Sequence, residues 1–146
     1  MKLTKALKLK NQLVGEINAL KEIFKRENSR RNDNPSKIDC SKVFIELTDK
    51  REQLIKLKAS ISKANVDIYD KINRMAELKD YINFLNGLPK REGEELTLIG
   101  LNREKLMYNW TAYLNQEEVD KLVNSLKEDI NALQDAVDNY NAVKDI

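Results

Sequence analysis

Residues 115–143, NQEEVDKLVNSLKEDINALQDAVDNYNAV, decide the fold. Val119, Leu122, Leu126, Ile130, Leu133, Val137 and Tyr140 recur there at three- and four-residue spacing, which places them on one face of a helix. Asn115 followed three residues later by Glu118 is a helix-start signature, so the spacing predicts a helix over about 115–143. The same rhythm opens the chain, with Leu3, Ala6, Leu13, Ile17, Leu20 and Phe24 predicting a helix over about 3–27. Gly15 lies inside that helix and suggests a place where a neighbouring backbone comes close.

Between these two, the polar run Asn28–Pro35 reads as a connector. A second helix is predicted over about 40–64, capped by Asp39 or Ser41 and striped by Val43, Leu47, Leu54, Leu57, Ile61 and Ala64. A third is predicted over about 68–86 on Ile72, Met75, Leu78, Ile82 and Leu85, with one continuous helix through Ala64–Asp67 as the alternative. Asn86-Gly87-Leu88-Pro89 stops it, since glycine can take a left-handed cap and proline cannot continue the helix. The pattern then changes. Glu95–Ile99 and Leu106–Tyr113 are rich in β-formers and predict a small hairpin within 95–113, turning around Gly100–Arg103. The expected fold is therefore mainly α: one domain over 1–146, an elongated antiparallel helical bundle or coiled coil with a small β-hairpin before the last helix.

Charge divides along the chain although the formal net charge is only +2. Residues 1–31 hold nine basic and three acidic groups, a net of +6, and residues 115–146 hold three basic and eight acidic, a net of −5. Opposite signs on the first and last helices suggest that their apolar stripes face each other, within one subunit or between two.

Nothing in the residue types points to a reaction. The 146 residues contain no histidine, which removes the commonest general base and metal ligand, and the lone Cys40 rules out an intramolecular disulfide. There is no phosphate-binding glycine loop and no CxxC. No catalytic, metal or cofactor residues are assigned, no small-molecule substrate is expected, and the chain reads as a non-enzyme. No early apolar run follows the basic start and no 18-residue apolar run exists, so a cytoplasmic location is expected. Cys40 reads as a small residue filling a gap, because Cys40, Leu47, Leu54 and Ile61 recur every seven; a reactive thiolate at a helix start is the competing reading.

Candidate contact residues follow from the stripes and two clusters. Leu13, Ile17, Leu20, Leu126 and Leu133 are the seam positions for a homo-oligomer or a helical protein partner. Tyr108 and Trp110, with Tyr113, concentrate aromatics in the hairpin and form either a partner-binding face or a plug at the end of a bundle, with Trp110 expected at least half buried. Arg30 and Arg31 lie in a basic loop, 25–37, that would take a phosphate backbone, although Glu27 and Asp33 interrupt it and no aromatics interleave. The Lys/Leu-rich start has the look of a membrane-surface helix, but its apolar residues run on in register with Leu13 and Ile17.

The opening Met1, Lys2, Leu3, Ala6, Leu7 and Leu13, then Ile61 and Asn65, then Asp129–Asp135, together resemble the septicolysin-like family of small bacterial helical proteins. Ser62 and Ala64 depart from that family's pattern, and its terminal Asn-Trp is absent. The resemblance implies a mainly helical protein of unestablished function, and its label implies activity on membranes. It supplies no catalytic or binding residues.

Overall fold

A computed structural model describes residues 1–146. In order it contains α1 (Leu3–Glu27), α2 (Cys40–Asn65), a single 3-10 turn (Val66–Ile68), α3 (Tyr69–Asn86), β1 (Gly93–Ile99), β2 (Glu104–Trp110) and α4 (Gln116–Val143). The protein is mainly helical, with a two-stranded antiparallel hairpin before the last helix. The helix starts are set by side chains. Asp39 Oδ1 accepts from the backbone N–H groups of Ser41 (3.0 Å) and Lys42 (3.3 Å), and Asn115 Oδ1 accepts from that of Glu118 (2.9 Å). Two compact units result, one of residues 1–69 and 137–146, the other of residues 70–136.

In the first unit α1 and α2, joined by residues 28–39, form an antiparallel pair. Leu3 and Ala6 at the start of α1 pack on Ile61 and Ala64 at the end of α2, with Leu7, Leu57, Tyr140 and Ile146 around them. At the other end the Phe24 and Phe44 rings lie 5.5 Å apart. Midway, Lys50 Nζ of α2 meets Glu16 Oε2 of α1 at 2.7 Å. Opposite charges on the first and last helices suggest that α1 faces α4, within one subunit or between two; within this subunit α1 packs along its length on α2. Connectivity prevails because loop-closure cost rises only slowly with length and α2 is the next element, whereas charges beyond about 10 Å are screened. Leu3 gains from this packing on the order of 1.5–3 kcal/mol of burial.

The chain end closes the same unit. Lys2 and Asp145 form an isolated antiparallel bridge, and Leu3 N–H donates to the Lys144 carbonyl at 2.9 Å. Tyr140 Oη lies 2.7 Å from the Ala64 carbonyl and 2.8 Å from Asp67 Oδ2, so one hydroxyl proton serves two acceptors. Lys144 Nζ reaches the same Asp67 oxygen at 2.8 Å. These bonds sit where the sequence left a choice between a break and a continuous helix. The two helices are separate elements, Cys40–Asn65 and Tyr69–Asn86, but Asn65, Val66 and Tyr69 keep right-handed helical dihedrals and one tighter turn joins them. Without Gly or Pro nothing forces a reversal. Gly15 also departs from expectation, since a Cβ there would meet nothing within 4 Å.

In the second unit Ile82 and Leu85 of α3 pack with Val123 and Val119 of α4, flanked by Leu88, Leu114, Leu126 and Ile130. The buried residue in the second turn of α4 is Val123, whereas the stripe named Leu122, which stays exposed. The stop of α3 is also achieved differently from the expected left-handed cap, because only Gly93 and Gly100 among the glycines have positive φ. Gly87 N–H still bonds helically to Asn83 O (3.1 Å), and Lys90 Nζ caps the carbonyls of Asn86 (3.2 Å) and Leu88 (2.9 Å) before proline-limited chain leads away.

Candidate interaction surface

The hairpin is built by its turn. Gly100 (φ 75°) and Arg103 (φ 51°) take left-handed conformations, and Arg103 N–H donates to Gly100 O at 3.2 Å, closing the loop between Ile99 and Glu104. From there the strands run residue for residue without a bulge: Leu98 opposite Lys105, Thr97 opposite Leu106, Leu96 opposite Met107, Glu95 opposite Tyr108, Glu94 opposite Asn109 and Gly93 opposite Trp110. One face therefore carries Leu106, Tyr108 and Trp110 beside Thr97 and Ile99. The other carries Leu96, Leu98 and Met107 between Glu94 and Lys105.

Both faces remain largely open. All seven residues of β2 are exposed, and Leu96, Leu98 and Met107 keep more than half their surface. Trp110 keeps 43%, so just over half of it is covered; the Arg91 guanidinium lies 5.1 Å from its ring, held by Glu95 Oε2 at 3.1 Å. Tyr113 is almost wholly exposed, and Leu101 in the turn is fully so. The sheet has two strands only, so the outer edges of β1 and β2 have no strand beside them. A ribbon of this kind is marginal alone and is normally backed by further strands or a helix. Apolar centre, charged ends and a Trp–Tyr–Met–Arg composition match the anatomy of a protein contact surface.

The ribbon thus brings Tyr108 and Trp110 together with Leu106 on one face, and sets Leu96, Leu98 and Met107 on the other. A signal was present: no charged residue occurs between Leu106 and Gln116. The helical candidates lie elsewhere. Leu13 and Ile17 are buried in the α1–α2 pair, and Leu20, Leu126 and Leu133 are partly buried. Arg30 and Arg31 are exposed but engaged within their loop: Arg30 Nε donates to the Asn34 carbonyl at 3.3 Å and its guanidinium lies 3.6 Å from Glu27, while Arg31 pairs with Asp33. Cys40 Sγ donates to the Glu27 carbonyl at 3.4 Å.

Titration behaviour is shaped by the first unit's ion pairs. The Lys144 hydrogen bond, then that of Tyr140, holds the Asp67 carboxyl below its ordinary 3.8, and Asp67 in turn pushes Lys144 up to about 12. Lys50 lowers Glu16 and is itself raised by it; Ser36, then Arg26, lowers Glu27; Lys2 lowers Asp145. Each pair ties two segments or holds a connector, and none lies in the ribbon. No helix is long and apolar enough to cross a membrane. Comparison of the chain with protein-family models, with curated proteins and with solved structures found no match.

Proposed function

We propose that this is a cytoplasmic, non-enzymatic interaction protein whose helices carry the β1–β2 ribbon as their contact surface. One observation carries the reading: Leu96, Leu98, Leu106, Met107, Tyr108 and Trp110 stand exposed on a two-stranded sheet, where Arg91 lies over Trp110. Large apolar side chains gain nothing by exposure, so their cost is offset only when a partner covers them. The α1 seam, by contrast, is already occupied by α2, which moves the expected contact from a helical stripe to the ribbon.

The test is affinity capture from the native host with two full-length baits, the wild-type chain and a Leu106→Ser/Tyr108→Ser/Trp110→Ser variant. The reading expects proteins held by the first and lost by the second at unchanged helicity. Identical sets from both baits would contradict it. A second reading, membrane activity of the kind the septicolysin-like resemblance implies, draws on fully exposed Leu101 at the turn. Dye release from vesicles by wild type but not by Leu101→Ser would favour it, although Arg103, Glu104 and Lys105 follow after Asn102 and make deep insertion costly.

A further inference from the structure

Resting on the reading of the ribbon as a contact surface, we infer that its occupant is a second copy of this chain, joined β2 to β2 in an antiparallel, two-fold sheet. The free edge of β2 lacks the usual guards against pairing. It has no bulge, no proline and no cover, and Leu106–Trp110 carry no charge. The β1 edge is guarded by Glu94 and Glu95.

Charge selects a second copy. The base of the hairpin is acidic, with Glu92, Glu94 and Glu95 against Arg91, and its tip is basic, with Arg103 and Lys105 against Glu104. Antiparallel pairing lays each base beside the other tip, so the complementarity is satisfied twice, as a two-fold interface requires. A two-fold axis normal to the sheet must pass beside a residue paired with its own counterpart. Centring it on Met107 places Lys105 opposite Asn109 of the other copy, with Glu94 next in the same row. That is two strand spacings, about 10 Å between backbones, which a lysine and a glutamate side chain bridge. Neither Lys105 nor Glu94 has an ion-pair partner within its own chain. Centring on Leu106 instead leaves only Arg103, in the turn beyond the end of β2, to face Asn109 and Glu94, and centring on Tyr108 sets Lys105 against Thr111, beyond the ladder.

The resulting four-stranded sheet has a continuous apolar row, Leu96–Met107 of one copy running into Met107–Leu96 of the other, flanked on both sides by Lys105 and Glu94. On its opposite face Tyr108 of each copy lies against Leu106 of the other. Four strands with an apolar row supply what a lone ribbon lacks.

Sedimentation equilibrium of the purified full chain tests this, with circular dichroism confirming that helicity is kept. A reversible dimer is expected. Met107→Lys places like charges at the axis and weakens it by about tenfold or more; Lys105→Glu weakens it less, and adding Glu94→Lys restores it. In a Cys40→Ser background a short thiol cross-linker joins Met107→Cys chains to each other but not Leu96→Cys chains, whose positions lie three strand spacings apart. A monomer at high micromolar concentration, a dimer indifferent to Met107→Lys, or equal cross-linking at both positions would overturn the inference. If the purified chain is monomeric yet capture from the host still depends on the ribbon, the occupant is another protein: self-pairing falls and the interaction reading stands. Ribbon-dependent binding to lipid vesicles by a monomer sinks both.

Discussion

The apolar face of α1 and the apolar faces of the β1–β2 ribbon are composed alike and end in opposite places. Leu3, Ala6, Leu13 and Ile17 are nearly or wholly buried, whereas Leu96, Leu98, Leu106 and Met107 each keep some two-fifths or more of their surface. Hydrophobicity does not separate them; the next element in the chain does. The connector of residues 28–39 swings α2 back along α1, and the clasp of Lys2 with Asp145 seals the end of that pair. The ribbon is closed by its own turn, and nothing follows that adds a third strand. Periodicity declares that a face is apolar; connectivity decides whether its own chain covers it.

Substitutions that truncate each face break the comparison if the contrast is false. Leu3→Ala, and equally Leu85→Ala in the second unit, should cost about 2–5 kcal/mol in denaturant unfolding, because both side chains are essentially inaccessible and leave cavities. Met107→Ala or Leu98→Ala in the monomer should stay within about 0.5 kcal/mol. A large loss at Met107 would mean that the ribbon is core after all. Asp39→Ala removes the acceptor for two backbone donors of α2 and should cost about 1 kcal/mol by the same measurement, with Asn115→Ala similar.

Gly15→Ala should run the other way. With open space around it and a helical interior position, the methyl group should stabilise by about 0.5–1 kcal/mol, read as a raised unfolding midpoint. The pH profile sharpens the comparison by unit. Asp67, Glu16, Glu27 and Asp145 have lowered folded values, so their contribution is fully present above the ordinary 3.8 and 4.5 and is lost as pH falls through the lowered values. Lys144 is raised, so its contribution is intact below 10.5 and lost as pH rises through about 12. All five belong to the first unit, so acid should open the α1–α2 pair and the terminal bridge first. Hydrogen exchange at mildly acidic and strongly acidic pH reads this directly, and uniform loss of protection in both units would count against it.

Much of the helical layout was legible because period and caps agree. Asp39 and Asn115 each present an acceptor to the following turn, and the α1 and α3 stripes fall on the faces that are buried. What was illegible was three-dimensional. The opposite charges of residues 1–31 and 115–146 do not mark the neighbour of α1 within the subunit, because net charge over a helix says little once the chain has fixed that neighbour. Val123 was passed over for Leu122 because one-residue shifts around a helix are invisible until the partner's direction is known. On the candidate surface, Tyr108 and Trp110 were visible as an aromatic cluster. Met107, Leu96 and Leu98 were not, since alternation assigns residues to two faces without saying that both stay largely open.

On the proposed pairing, the outer edge of β2 is free in a lone copy and filled in the dimer. Hydrogen exchange of β2 backbone amides at increasing protein concentration measures it most directly. Outward-facing amides between Leu106 and Trp110 are expected to exchange freely when dilute and to become protected as concentration rises, while α1 amides do not change. Protection of that edge independent of concentration, or exchange that stays fast at every concentration, would contradict it.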